Sequence, residues 1–184
     1  MDRPPRDVLG EREDQRIKRL IEAGDDFCAR NSSETHPEGD PAAIARRAVR
    51  AVRAARLGLY RQDGDTEEAA VLLKRGRPRT AYILRTLKRP AEVQLLRQVF
   101  KDQFILIGSQ TTTDQRRKLL MGRPMSKNGQ AEKLFLVEEL IRLDAKEGHP
   151  LGQRVNETYP SSDFFVGQED DQPARAIQLL FGDR

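Results

Sequence analysis

The stretch that decides the fold is Pro78–Ser109, which reads PRTAYILRTLKRPAEVQLLRQVFKDQFILIGS. Its segment Thr80–Leu84 is a short run of β-branched, aromatic and aliphatic side chains, which predicts a strand. Pro90 suits the first turn of a helix, and the apolar residues after it recur with helical period. Phe104–Ile107 is a second continuous apolar run, which Gly108 ends. Two uninterrupted strands joined through a helix predict a parallel pair covered on both faces, the local unit of an α/β nucleotide-binding fold.

The rest of the chain predicts one domain in which helices outnumber strands. Residues 11–184 are expected to form a single α/β domain behind a flexible lead at Met1–Gly10, and Asp163–Val166 is a third predicted strand. Helical periodicity predicts seven further helices, at Arg12–Asn31, Pro41–Tyr60, Glu67–Lys74, Asp114–Met121, Gln130–Lys146, Gly152–Tyr159 and Pro173–Phe181. A short parallel sheet with many helices is therefore expected.

Composition narrows the class of protein. Of the 184 residues, 37% are hydrophobic and 34% are charged, and the apolar residues are patterned rather than scattered. The single cysteine excludes an internal disulfide and suits a reducing cytoplasm. No apolar run approaches the length of a membrane span and no signal peptide opens the chain, so we expect a cytoplasmic protein without a membrane partner.

Positive charge is concentrated in the middle of the chain. The segment Pro41–Arg61 contains six arginines and no acidic residue. The segment Lys74–Arg97 contains eight basic residues against Glu92 alone. A basic surface of this kind suits nucleotide phosphates, nucleic acid or an acidic partner, and the alternative is a solvated arginine-rich surface without a ligand.

Four segments together resemble a known family. They are the opening stretch Pro78–Ser109, QRIKRLIEAGDDFCARN (Gln15–Asn31), LIRLDAKEGHPLGQRVNETYPSSDFFV (Leu140–Val166) and AIQLLFG (Ala176–Gly182). They resemble the amino-terminal P-loop-kinase-like domain of the two-domain deoxycytidine nucleotide (dCTP/dCMP) deaminases that bacteria use against phage. The resemblance covers most of the chain and implies an incomplete three-layer α/β domain of P-loop-kinase-like type.

The chain departs from that family at both sites of chemistry. No G-x-x-x-x-G-K-[ST] phosphate loop occurs in it. Zinc deamination needs H-x-E together with P-C-x-x-C, and although His36-Pro37-Glu38 fits the first part, Cys28 is the only cysteine. We therefore expect no cofactor, no metal and no catalysis by this chain alone. The expected function is a nucleotide-sensing, regulatory or assembly module, or a fragment of a longer protein of this kind.

The resemblance also implies where a nucleotide would bind. A kinase-like fold places groups near the bound nucleotide after a strand or on the lid side, and arginine suits phosphate because its planar fork donates two hydrogen bonds. Gly108-Ser109, after the second strand, would let a ligand approach the backbone. The candidate nucleotide- or phosphate-binding residues are Ser109, Arg116, Arg117, Arg142, Asp144 and Arg154. The alternative for the charged members is a surface ion-pair network.

One short motif indicates a different function class. The segment Lys74–Arg79, KRGRPR, matches the core of an AT-hook, in which arginines on either side of an extended turn enter the narrow minor groove of A·T-rich DNA. The candidate DNA-binding residues are Lys74, Arg75, Arg77 and Arg79. DNA binding is therefore the alternative function, and such a segment should be exposed and flexible.

The resemblance finally implies an open sheet. In P-loop-kinase-like folds the strand before the phosphate loop lies in the middle of the sheet, and this sequence offers no counterpart for it. Open strand edges recruit further strands. We therefore expect Thr80–Leu84 to pair directly with Phe104–Ile107 in an isolated monomer, and a partner chain or a second copy to complete the sheet in cells.

Overall fold

The computed structural model describes residues 11–75, 79–109, 111–125, 129–145 and 151–167, together with residues 174, 175 and 178. Its helices within these ranges are α1 (Glu13–Arg30), α2 (Ala43–Gln62), α3 (Ala69–Lys74), α4 (Pro90–Phe100), α5 (Thr113–Met121), α6 (Gln130–Ala145) and α7 (Val155–Thr158). Its strands are β1 (Ile107–Ser109) and β2 (Phe164–Val166), and 3₁₀ turns span Lys101–Gln103 and Tyr159–Ser161. The chain is an α/β protein rich in helix.

The two strands form a parallel pair, as the sequence predicted for an α/β chain. Gly108 lies opposite Phe165, and Ser109 lies opposite Val166. A methyl group on Gly108 would stand 2.6 Å from Ser162 Oγ and 3.0 Å from Tyr159 Cε2, so the 3₁₀ turn before β2 packs directly on the glycine. The absence of a side chain at Gly108 is therefore what lets this turn cover β1.

The predicted strand Thr80–Leu84 is wrong, and so is its predicted pairing with Phe104–Ile107. In the described part of the chain the sheet has two strands, and residues 80–84 belong to neither of them. Their side chains still alternate between exposed and half-buried, and Leu84 packs against the cluster formed by α2 and α4. The segment therefore has the side-chain pattern of a strand but lacks the neighbouring strand that would complete it.

The second predicted strand, Phe104–Ile107, shares only Ile107 with β1, and Gly108, which was expected to end it, lies within β1. The carbonyl of Leu106 accepts hydrogen bonds from the amides of Asp163 and Phe164 at 2.8 and 3.3 Å, and the ladder runs from Ile107 onward. Phe104 instead packs against the cluster formed by α2 and α4. The third predicted strand, Asp163–Val166, is confirmed as β2, one residue shorter at its start.

The predicted helices are largely confirmed. The bounds of α1, α2, α4, α5 and α6 agree with the sequence pattern to within about two residues. The helices around Glu67–Lys74 and Gly152–Tyr159 are shorter than predicted. The predicted lead Met1–Gly10 lies outside the described residues, as does most of the predicted helix Pro173–Phe181.

Three small hydrophobic clusters hold these helices together. Cys28, Ala43 and Leu151 form one, Ala45, Val49 and Leu96 a second, and Met125, Val137 and Leu140 a third. The second joins α2 to α4 and receives Leu84 and Phe104 from the extended segments. No helix in the described ranges combines the length and apolar character that a membrane crossing requires.

Candidate functional site

The carboxyl ends of β1 and β2 meet at one edge of the sheet, where open α/β sheets bind their ligands. Ser109 is exposed there, and the chain continues through Thr111 and Thr112 into α5. Thr112 Oγ1 accepts a hydrogen bond from the amide of Gln115 at 3.2 Å, and the side chain of Gln115 accepts from the amide of Thr112 at 3.0 Å. This reciprocal cap satisfies part of the first turn of α5 internally.

Arg117, a predicted phosphate ligand, is held by two acidic residues. Its Nε atom donates to Glu138 Oε1 at 2.5 Å, and its Nη1 atom donates to Asp114. The hydrogen bond and charge of Glu138 raise the pKa of Arg117. Arg117 therefore joins α5 to α6 through its Nε and Nη1 atoms.

Two of the other predicted residues lie on the same two helices as this pair. Arg116 is half-buried on α5, and Arg142 is exposed on α6 one turn after Glu138. Asp144 lies in the last turn of α6, but its side chain falls outside what the structure describes.

Arg154 belongs to a different neighbourhood. Its amide donates to the carbonyl of Lys88 at 2.8 Å, and its Nη1 atom lies 3.3 Å from Glu157 Oε2. These contacts anchor Arg154 to the segment that precedes α4. The described contacts of Arg154 thus serve packing, whereas Ser109, Arg116, Arg117 and Arg142 lie on β1, α5 and α6.

The AT-hook-like segment is tied down at its start. The carbonyl of Arg75 accepts hydrogen bonds from Arg56 and, at 3.2 Å, from the hydroxyl of Tyr60. The guanidinium of Arg75 donates to Asp65 Oδ2 at 3.0 Å and to Glu67 Oε1 at 2.5 Å. Lys74 and Arg79 are exposed, and Arg77 lies outside the described residues. Arg75 is therefore not the free guanidinium that an AT-hook requires.

Helix α2 carries a basic surface beside this segment. Arg50 and Arg53 are exposed and form no ion pair within the described part of the chain. Arg61 donates to the backbone carbonyls of Asp65 and Glu67, at 2.6 and 2.8 Å. Because these acceptors are uncharged, they do not neutralise the positive charge of Arg61. Nothing in the sequence pattern indicated that Arg56 of α2 and Arg75 would lie side by side.

A buried polar cluster around Arg89 was missed from the sequence. Arg89 is 4% exposed, and its Nη1 atom lies 3.4 Å from Glu92 Oε1 while its Nη2 atom donates to Asp25. Glu92 Oε2 accepts from the amides of Lys88 and Arg89 at 2.9 and 3.1 Å. The only local signal was a glutamate in the third position of a helix that begins at Pro90. Every nitrogen of the Arg89 guanidinium is used internally, so the cluster is structural.

The residues that suggested zinc chemistry do not converge. Cys28 is fully buried, and burial raises the pKa of its thiol. His36 lies in a turn in which its Nδ1 atom is 3.0 Å from Thr35 Oγ1. Among the described residues no group of three histidine, cysteine, aspartate or glutamate side chains is placed to hold a metal ion.

Comparison of the chain with family models, with curated proteins and with solved structures found no match. The class of protein is therefore given by the structure: an α/β domain with a minimal parallel sheet, a polar carboxyl edge and an arginine-rich flank.

Proposed function

We propose that the chain is a non-catalytic module that senses deoxynucleotides, or serves regulation or assembly, and is related to the P-loop-kinase-like half of anti-phage deoxycytidine nucleotide deaminases. One observation carries the nucleotide part of the proposal. The parallel pair β1–β2 directs its carboxyl edge at the start of α5, and the arginines Arg116, Arg117 and Arg142 lie on α5 and the neighbouring α6. Arginine charge beside exposed hydroxyls suits a phosphate group.

The expected binding is weak and does not need magnesium. A phosphate loop would supply converging backbone amides, a lysine and a hydroxyl for Mg²⁺, and the sequence contains no such motif. Attraction by partly paired arginines is left, and salt screens it. We expect a Kd for dCTP above about 0.1 mM at low salt, weakening further as salt is added.

Titration calorimetry with dCTP, in the presence and absence of Mg²⁺ and at two salt concentrations, tests this function. The double variant Arg116→Gln/Arg142→Gln should weaken binding about tenfold or more, since it removes two charges but keeps the Arg117–Glu138 contact. Arg30→Gln, on an exposed arginine whose described bond is to its own helix, is the matched control. Tight Mg²⁺-dependent binding, or equal binding by all three proteins, would contradict the proposal.

DNA binding is the second candidate, and a specific observation favours it. The hydrogen bonds from Arg56 and Tyr60 to the carbonyl of Arg75 place the start of the AT-hook-like segment beside the arginine-bearing helix α2. Arg75, from the second basic region of the sequence, thus lies next to the first basic region. Arginines without acidic partners can neutralise phosphates on a duplex, and affinity should then fall steeply with salt.

Fluorescence anisotropy with A·T-rich and G·C-rich hairpin duplexes separates two versions of this candidate. A hook that enters the minor groove prefers A·T-rich DNA and is disabled by Arg75→Gln/Arg79→Gln. Contact of α2 with phosphates has no base preference and is disabled by Arg50→Gln/Arg53→Gln. If neither duplex binds at low salt, DNA binding is excluded.

A further inference from the structure

The segment after residue 79 is not hydrogen-bonded to the rest of the described chain over seven consecutive residues. Within the described part of the chain, residues 81–87 form no hydrogen bond through backbone or side chain. Backbone amides and carbonyls are strong hydrogen-bonding groups, and nearly all that lie in folded regions find partners in protein or water. Seven consecutive residues without a partner therefore form a template for another strand.

The segment is nevertheless held in place from both sides. Leu84 and Leu87 pack against the cluster of Ala45, Val49 and Leu96. At the end of the segment, the amide of Lys88 donates to Glu92 and its carbonyl accepts from Arg154. Packing thus holds the segment in position before a partner binds. Less conformational entropy is then lost when the segment pairs with a partner.

The outward face of the segment carries a large, exposed hydrophobic side chain. Ile83 is 87% exposed, the most exposed of the large hydrophobic side chains described. Tyr82 and Leu84, on either side of it, are half-buried, whereas Ala81 and Arg85 are exposed. This alternation is that of a strand with one face on the core, and an isoleucine at its centre favours pairing across strands.

We propose that Ala81–Arg85 pairs antiparallel with the same segment of a second copy of this chain, about a twofold axis at Ile83. In this register Ile83 lies opposite Ile83, and Ala81 lies opposite Arg85. Like charges are then not directly opposite, and Tyr82 faces Leu84 on the core side of both copies. The segment is self-complementary, as an isologous contact requires.

The inference rests on the assembly role in the proposed function and names a second copy of this chain as the partner. Pairing would supply backbone hydrogen bonds to alternate residues of the segment 81–85 and would cover part of Ile83. It would also make these residues the strand that their sequence pattern predicts, with the second copy in place of a neighbour from the same chain. Nucleotide binding at the carboxyl edge is measured separately, so a monomer that binds dCTP would reject this pairing and leave the proposed function standing.

A cysteine scan of the full-length chain tests both the contact and its register. Ile83→Cys should form a disulfide-linked dimer under mild oxidation, because opposite residues of an antiparallel pair have Cα atoms about 4.5–5.5 Å apart, within the range for a disulfide. Arg85→Cys is the matched control and should stay monomeric on non-reducing gels, since the twofold axis separates the two copies of this position. Cys28 is fully buried and does not interfere.

Light scattering of the unmodified chain should give twice the mass of one chain, and Ile83→Lys should give the mass of one. Mixing the Ile83→Lys chain with an Ile83→Glu chain should restore the doubled mass, because opposite charges then meet at the axis. Phe135→Lys, at an exposed position on α6, should leave the mass doubled. A monomeric unmodified chain, or equal crosslinking at positions 83 and 85, would overturn the proposal.

Discussion

The Nε atom of Arg89 donates a hydrogen bond to the backbone carbonyl of Leu151 at 2.6 Å. The same guanidinium reaches Asp25 on α1 and Glu92 on α4, so one buried cation connects two helices to the segment before α7. Removing one partner from a buried charge cluster leaves the opposite charges buried without compensation, which strongly destabilises the folded state.

Arg89→Met should therefore lower the free energy of unfolding by about 3–5 kcal/mol, because the buried Glu92 and the half-buried Asp25 would be left without their cation. Urea denaturation followed by circular dichroism measures the change. Arg50→Met removes an exposed arginine of α2 and should stay within about 0.5 kcal/mol of the unmodified chain. Equal effects of the two substitutions would show that the cluster does not support the fold.

Two glycines should respond to alanine in opposite directions. Gly108→Ala places a methyl group against Ser162 and Tyr159 and should cost about 1–3 kcal/mol, since the covering turn must move. Gly58→Ala lies within α2 with open space around it and should stabilise the chain by about 0.5–1 kcal/mol. Thermal melting of both variants checks the sign, and a stabilising Gly108→Ala would contradict the packing of the turn on β1.

The ion pair at the start of α1 should make stability depend on pH. Arg16 donates two hydrogen bonds to Glu13, at 2.8 and 2.9 Å, and these bonds lower the pKa of the Glu13 carboxyl, although partial burial opposes them. The folded carboxylate thus binds a proton less readily than the unfolded one. Its contribution is present above the ordinary glutamate pKa of about 4.3 and is lost as pH falls through the folded value.

Glu13→Gln should accordingly lower the free energy of unfolding by up to about 1 kcal/mol at pH 7, and by less as the pH approaches the folded pKa of Glu13. Urea titrations of both proteins at a series of pH values provide the measurement. A difference that stays constant down to about pH 3, or grows on acidification, would argue against this ion pair.

The thiol of Cys28 should be protected in the folded chain. The side chain is fully buried and burial raises the pKa of the thiol, so both access and thiolate fraction are reduced. We expect reaction with a disulfide reagent to be roughly 100-fold or more slower than in urea, with its pH midpoint above that of the unfolded chain. Comparable rates in both states would place Cys28 outside the core.

Purified chain should release no ammonia from dCTP or dCMP, with or without added Zn²⁺. A zinc deaminase needs two thiolates beside its histidine ligand, and the sequence contains one cysteine, which is buried. Ammonia release that copurifies with the chain and persists in Cys28→Ala would disprove this prediction.

Local pattern predicted the helices well and the site poorly. The apolar residues of α1, α2 and α6 repeat with helical period within each helix, so these helices can be predicted from residues that are close in the sequence. Some partners of the predicted nucleotide- and DNA-binding arginines lie eight or more residues away in the chain. Glu138 for Arg117, and Asp65 and Glu67 for Arg75, became visible only in the folded molecule.

Residues 80–85 show which features a local sequence pattern predicts and which depend on the tertiary structure. Alternating side chains and β-branched residues can be read from the chain, and the fold does extend this segment and bury its inner face on α2 and α4. Whether an extended segment becomes a strand depends on a second backbone lying about 4.8 Å away, and no local pattern specifies that neighbour. Side-chain periodicity is a property of the segment itself, whereas the hydrogen-bond partner depends on the whole fold. In this fold β2 pairs with Ile107–Ser109, and residues 81–87 form no backbone hydrogen bond within the described chain.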